Sequence, residues 1–152
     1  MIVVIANPKG GVGKSTIAFN YAYQATLSKS GKSSNVAIVA MSDRTSFMTW
    51  IKRRTELKIQ EPFLGLVGLN NPISVISKLA QVYDTVVVEC DELMPENKLG
   101  SLVKIADLFI IPTAVGQGEL DCTINYYLAL QKYNKYHITG LVPRYQACYM
   151  IF

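Results

Sequence analysis

A glycine-rich decapeptide near the start of the chain constrains its fold more than any other feature. Residues 7–16 read Asn-Pro-Lys-Gly-Gly-Val-Gly-Lys-Ser-Thr and follow the apolar run 2–6, which predicts a buried parallel strand. Residues 17–22 then favour the start of a helix. Strand, glycine-rich turn and helix together are the context of a phosphate-binding loop. The alternative, a basic glycine turn that binds nothing, suits a shorter motif better than this one.

The residue types in this turn suit an anionic ligand. Its three glycines lack a Cβ, so the backbone can curl tightly and direct its amides inward at a helix N-terminus. Lys14 would reach the β- and γ-phosphates, Ser15 would ligate Mg²⁺, and Thr16 would lie near the α-phosphate. The predicted phosphate site comprises Lys9, Gly10, Gly11, Val12, Gly13, Lys14, Ser15 and Thr16.

The string Lys-Gly-Gly-x-Gly-Lys-Ser, from Lys9 to Ser15, resembles the deviant Walker A ATPases of the ParA/MinD type, which include small plasmid-partition proteins. Pro8 stands where the general P-loop has its first glycine. The resemblance continues in weaker form to about Thr139. It implies ATP and Mg²⁺ as cofactors and a nucleotide-dependent homodimer, in which Lys9 acts across the interface. It also implies DNA segregation or cargo positioning, with a centromere-binding type of partner protein, nonspecific DNA and no membrane.

The water-orienting acid of the resembled family is not found at its usual place. Alignment on the following serine and tryptophan puts Ala40 and Ser42 where the family has two aspartates. A serine hydroxyl cannot supply that charge or act as a general base at neutral pH. Asp43, one position further on, is the candidate substitute. The predicted catalytic residues are therefore Lys9, Lys14 and Asp43.

A second acidic segment follows the strongest predicted strand. Residues 83–91 contain three successive valines, which indicate a central parallel strand, and they resemble a Walker B segment. Glu89 stands where an aspartate is expected, so Glu89 and Ser15 are the predicted metal ligands. Asp91 is an alternative to Glu89, and Glu89 reads almost equally well as an acid facing solvent. The resemblance further implies that Arg144 lies near the adenine.

Apolar runs alternate with amphipathic segments throughout the chain. This alternation predicts one nucleotide-binding domain over residues 1–152, with a doubly wound α/β fold, a mostly parallel sheet and helices on both faces. The fifth strand is expected to end at Pro112, and the helix after it to place Leu120, Ile124, Tyr127, Leu128 and Gln131 on one face. The predicted strands cover 1–6, 36–40, 63–67, 83–91, 107–112 and 137–142, and the predicted helices cover 14–29, a segment through 54, 72–81, 99–106 and 119–134. Residues 145–152 remain unplaced.

Composition narrows the functional classes. Half of the residues are apolar, and no apolar run reaches the ~18 residues of a membrane span. Three cysteines without a Cys-x-x-Cys motif, and a single histidine, disfavour zinc or a disulfide framework and suit a reducing cytoplasm. Residues 1–60 carry nine Lys/Arg and two acids, whereas residues 61–121 carry three and nine. This asymmetry suits an anionic ligand near the N-terminal half.

These features predict an Mg²⁺–ATP-binding partition or positioning protein whose ATP hydrolysis is slow or impaired. The alternative is a catalytically silent nucleotide-binding or regulatory module that binds a partner protein. The basic cluster 52–54 with Lys58 reads as contact with nucleic-acid phosphate or, as we prefer, as a solvated helix end. The resembled proteins continue beyond Arg144 with a base pocket and a DNA-binding surface, which we expect this chain to lack.

Overall fold

Seven strands and five helices make up the part of the chain that the computed structural model describes. That part comprises residues 1–27, 34–41, 45–59, 63–66, 71–90, 92, 94–133, 141–144 and 147–151, with backbone only at 63–66, 141–144 and 147–151. The strands are β1 (Ile2–Ile5), β2 (Val36–Ala40), β3 (Phe63–Leu66), β4 (Thr85–Glu89), β5 (Leu108–Ala114), β6 (Leu141–Arg144) and β7 (Ala147–Ile151). The helices are α1 (Lys14–Thr26), α2 (Thr45–Glu56), α3 (Pro72–Val82), α4 (Glu96–Ile105) and α5 (Gln117–Gln131).

The strands form one sheet in the order β3-β2-β4-β1-β5-β7-β6. The five from β3 to β5 are parallel, whereas β7 runs antiparallel to both β5 and β6. Parallel neighbours need helical crossovers, and these cover both faces of the sheet. The predicted α/β fold with a mostly parallel sheet is therefore confirmed.

Each face of the sheet is covered by its own helices. Val3 and Ile5 of β1 point to one face, where they pack with α1 and α2. Val4 points to the opposite face, where it packs with α3, α4 and α5. All five residues of β2 and of β4 are buried, as expected of strands covered on both sides. The central strands are thereby held rigidly, and their carboxyl ends can position a site.

The prediction that Pro112 ends the fifth strand is wrong. The strand β5 continues through Pro112 to Ala114. The Pro112 carbonyl faces Asn7, beyond the end of β1, and accepts a hydrogen bond of 2.7 Å from the Asn7 side-chain amide. The strand can pass through a proline because β1, its neighbour on the side of the Pro112 carbonyl, has already ended at this position, while β7 pairs on the other side.

On the predicted face of α5, Tyr127 packs against the core, but two apolar residues are exposed. Ile124 is 39% exposed and Leu128 is 54% exposed, whereas Thr123 and Leu130 are buried. Tyr126 packs against the core, and burial, with a smaller contribution from Cys90, raises the pKa of its phenol. The buried position at the centre of the helix is polar: Thr123 accepts a hydrogen bond from Asn7 and donates one to Thr113.

The C-terminal strands complete the sheet at the β5 edge. The described part of the predicted strand 137–142 is β6, which begins at Leu141, and residues 134–140 lie outside the described residues. Residues 147–151, which the sequence left unplaced, form β7 and insert between β5 and β6. Within the ranges described, no helix is long and apolar enough to cross a membrane.

Candidate functional site

The glycine-rich loop lies at the carboxyl edge of the sheet. It joins β1 to α1, and the register pairs Ile5 with Glu89 and Glu89 with Ala40. Because these neighbouring strands are parallel, their carboxyl ends meet at one edge. This crevice is where open α/β sheets bind ligands.

Two glycines of the loop adopt left-handed backbone conformations. Gly11 has a φ of +72° and Gly13 a φ of +89°. A Cβ at either position would meet no atom within 4 Å, so the requirement for glycine is conformational and not one of space. Gly13 is the N-cap of α1, and its carbonyl accepts the first helical bond from the Ile17 amide at 2.9 Å. The loop thus leads its backbone directly to a helix N-terminus, which attracts anions.

Lys14 turns its side chain back into the loop. It is only 7% exposed, and its ammonium donates to the Lys9 carbonyl at 2.6 Å. A carboxylate oxygen of Glu92 lies 3.3 Å from the same Nζ. A buried ammonium requires such partners. The positive charge at the centre of the loop is therefore fixed in place by contacts within the chain.

Ser15 and Glu89 form a pair of oxygen donors next to this ammonium. The Ser15 hydroxyl donates to Glu89 Oε1, and Glu89 is 8% exposed. This geometry excludes the interpretation of Glu89 as a solvent-facing acid. Among the residues described, no three His, Cys, Asp or Glu side chains converge as a metal cluster. Mg²⁺ fits this donor set, because it takes one or two protein oxygens and completes its shell with water and phosphate.

Asn7 anchors the loop to the rest of the fold, a role that sequence reasoning missed. It is 1% exposed. Its amide group donates to the Pro112 carbonyl at 2.7 Å and to the Thr123 hydroxyl at 2.9 Å, and its Oδ1 accepts from the Lys9 amide at 2.8 Å. Because Pro112 belongs to β5 and Thr123 to α5, these hydrogen bonds join the start of the loop to both elements. An asparagine directly after an apolar strand is the only signal in the sequence.

Lys9 lies on the outer side of the loop. Its side chain is 45% exposed, and its ammonium is 3.8 Å from a carboxylate oxygen of Glu119, near the start of α5. This position agrees with the expected outer rim. The reach of Lys9 across a subunit interface stays a prediction.

A cavity of about 660 Å³ opens beside the loop, between α1 and α2. Its lining includes Thr16 at the loop end and, further out, Tyr23, Trp50 and Arg54. Phe19 stacks on Trp50 with ring centroids 4.4 Å apart. The volume lies in the range of small-molecule sites. The described helix end of the basic cluster thus contributes one residue, Arg54, to the same cavity.

Four residues named in the sequence predictions cannot be placed by side-chain geometry. Asp43 and Asp91 lie outside the described residues, as does Ser42. Arg144 is described by its backbone, at the end of β6, and β5 and β7 separate that strand from β1. The catalytic role of Asp43 and the adenine contact of Arg144 stay predictions.

Two solved structures with the same fold are described as plasmid partition proteins. A plasmid partition protein from Borrelia burgdorferi B31, crystallised with AMPPNP, matches with a TM-score of 0.66 and 17% identity, covering 90% of this chain and 72% of that one. A second crystal structure of a plasmid partition protein from Borrelia burgdorferi matches with a TM-score of 0.59 and 17% identity, covering 88% and 73%. No curated protein matches this chain closely enough in sequence to count as a relative.

The sequence itself matches one family model, described as ATPase MipZ, over residues 1–121. This range contains the glycine-rich loop, the helices α1 to α4, the first turn of α5 and the acidic end of β4. The chain therefore belongs to the ATPase MipZ family and is a ParA/MinD-like P-loop protein.

Proposed function

We propose that this chain binds ATP with Mg²⁺, dimerises in response and acts as a partition or positioning protein in the cytoplasm. One observation supports this most directly: the buried Lys14 ammonium lies inside a loop with two left-handed glycines at a helix N-terminus. That combination is suited to the triphosphate of a nucleotide. The AMPPNP bound to the Borrelia protein, which has the same fold, supports the same ligand.

Ser15 and Glu89 are the proposed metal ligands. Their oxygens are in contact, and both lie beside the loop. When bound, Mg²⁺ would neutralise charge on the β- and γ-phosphates. Glu89 is one methylene longer than aspartate, so in our proposal it binds the metal directly or through a water.

Slow hydrolysis is the second part of the proposal. Ala40, the last residue of β2, is buried and carries no functional group at an aspartate position of the resembled family. Phosphoryl transfer needs a cradle, a metal and an aligned water. In our proposal, the described site supplies side chains for the phosphate cradle and for the metal, but no side chain is assigned there to align the water. Asp43 remains the proposed water-orienting group.

Dimerisation is proposed to use Lys9 from the outer side of the loop. Nearly half of its side chain is exposed, and its partner Glu119 is 39% exposed. Exposed ion pairs of this kind contribute at most ~1 kcal/mol to stability. Lys9 can therefore leave Glu119 and bind a phosphate of the nucleotide on a second copy. A centromere-binding type of protein is the proposed partner, and nonspecific DNA would have to bind outside the surface that we expect this chain to lack.

Calorimetry with ATPγS and Mg²⁺ tests nucleotide binding. We expect Lys14→Ala to weaken binding at least ~100-fold, because a charge-assisted contact to phosphate is lost. Lys104→Ala is the matched control, since Lys104 is an exposed lysine in the last turn of α4. Equal heats for wild type, Lys14→Ala and buffer would rule out the proposed ligand.

Sizing chromatography tests the dimer. With ATP and Mg²⁺ the wild type should shift to twice its mass, and Lys9→Ala should not shift although it still binds nucleotide. A monomer under all conditions would contradict the proposed dimer.

The alternative function, a silent nucleotide-dependent module, is favoured by the altered position at Ala40. Phosphate release followed over days, with Lys14→Ala as background, separates it from a slow ATPase. Release equal to that background would leave only the silent module.

A further inference from the structure

A second carboxylate reaches the loop from the segment after β4. Glu92 lies three residues beyond Glu89, and its Oε1 is 3.3 Å from the Lys14 ammonium. The same carboxylate packs on Gly10, where a Cβ would come within 3.0 Å of Oε1 and 3.2 Å of Oε2. Its side chain is 21% exposed. The Glu92 carboxylate is thus an anion held between the loop backbone and the buried cation.

This arrangement imitates a bound phosphate. The ammonium of Lys14 is the group that reaches the terminal phosphates in a P-loop, and carboxylates and phosphates accept the same charge-assisted hydrogen bond. One donor of this ammonium is already directed to the Lys9 carbonyl. A phosphate oxygen at van der Waals distance from Gly10 would overlap the space that Glu92 fills.

We propose that Glu92 is an internal competitor for the phosphate site. Binding of a nucleotide then requires the Lys14–Glu92 ion pair to break and the Glu92 side chain to leave Gly10. Like-charge repulsion between the carboxylate and the incoming phosphates adds to the cost of binding. This inference rests on the proposed nucleotide binding and adds a device that sets its affinity.

The device has a defined chemical consequence. A ligand with several negative charges can replace one carboxylate, whereas a ligand that does not reach Lys14 gains nothing from removing Glu92. Pyrophosphate and ATP should therefore respond to a change at Glu92, and adenosine should not.

The test is titration of wild type and Glu92→Gln with ATPγS and Mg²⁺, and with pyrophosphate and Mg²⁺. We expect both ligands to bind Glu92→Gln about tenfold more tightly, the ratio that ~1.4 kcal/mol gives at 25 °C. Glu56→Gln is the matched control, because it removes one negative charge from an exposed position at the end of α2. Its Kd should stay within about twofold of wild type. If the Glu92→Gln protein does not fold, Glu92→Ala takes its place in the same titrations.

Glu92→Asp separates contact from long-range charge. It keeps the charge but is one methylene shorter, so its Kd should lie between those of wild type and Glu92→Gln. If Glu92→Asp binds with wild-type affinity while Glu92→Gln binds tightly, the charge of Glu92 alone sets the Kd. That result would overturn the proposal that its contact with Lys14 does so. Equal or weaker binding by Glu92→Gln would overturn the inference and leave the proposed function standing, provided that Lys14→Ala loses binding. Absence of binding in every variant would overturn both.

Discussion

The inner and outer sides of the glycine-rich loop differ in how firmly the chain holds them. On the inner side, Lys14 is 7% exposed and has a carbonyl oxygen and a carboxylate oxygen within 3.3 Å. On the outer side, Lys9 is 45% exposed and faces Glu119 at 3.8 Å. A buried charge needs its partners, whereas an exposed pair contributes little. The loop therefore combines a fixed cation with an adjustable one, five residues apart in the sequence.

The largest effect is expected where the inner side is anchored. Asn7→Ala removes two buried hydrogen bonds and one part-buried one, and it leaves the Pro112 carbonyl and the Lys9 amide without that partner. We expect the free energy of unfolding to fall by about 2–3 kcal/mol. Urea denaturation measures this loss. Asn125→Ala, at an exposed position of α5, should stay within ~0.5 kcal/mol of wild type. Equal losses for the two variants would show that Asn7 is not an anchor.

A smaller effect is expected from the backbone of the inner side. Gly13→Ala places a Cβ on a residue with a φ of +89°, which costs about 1–2 kcal/mol. Gly118 lies within α5 without a positive φ, and a Cβ there meets no atom within 4 Å. Gly118→Ala should therefore raise stability by up to ~1 kcal/mol. Thermal melts of the two variants should move in opposite directions. If both variants are destabilised, the sign of the stability change is not set by the φ of the glycine that is replaced.

The smallest effect is expected on the outer side. A double-mutant cycle with Lys9→Ala and Glu119→Ala should give a coupling energy below ~1 kcal/mol, because both side chains are well exposed. The coupling should decrease further in 1 M salt. A value above ~2 kcal/mol would remove the distinction between the two sides of the loop.

The fold and the loop could be predicted because they depend on short sequence patterns. The apolar run before Asn7, the glycines and the Lys14-Ser15 pair lie within 15 residues, and each strand of the parallel part is an apolar run. Local patterns are the part of a structure that a single sequence carries most directly.

The contacts around the loop could not be predicted, because they join distant residues. Ser15 meets Glu89 across 74 positions, Lys14 meets Glu92 across 78, and Asn7 meets Thr123 across 116. The solvent-facing alternative for Glu89 stayed open for the same reason. The buried position at the centre of α5 could not be read from apolar periodicity, because it is a threonine, Thr123, held by hydrogen bonds to Asn7 and Thr113.

The central place of β1 has a consequence for how the protein is made. β1 is synthesised before the strands that cover it: Met1, just before β1, contacts Asp84, and Ile2 contacts Asp107, which lie 83 and 105 positions later. Its apolar side chains must wait for β4 and β5 to be synthesised before they are covered, and such non-local pairing is slow. The apolar run of β1 is therefore open to aggregation until β4 and β5 are in place beside it.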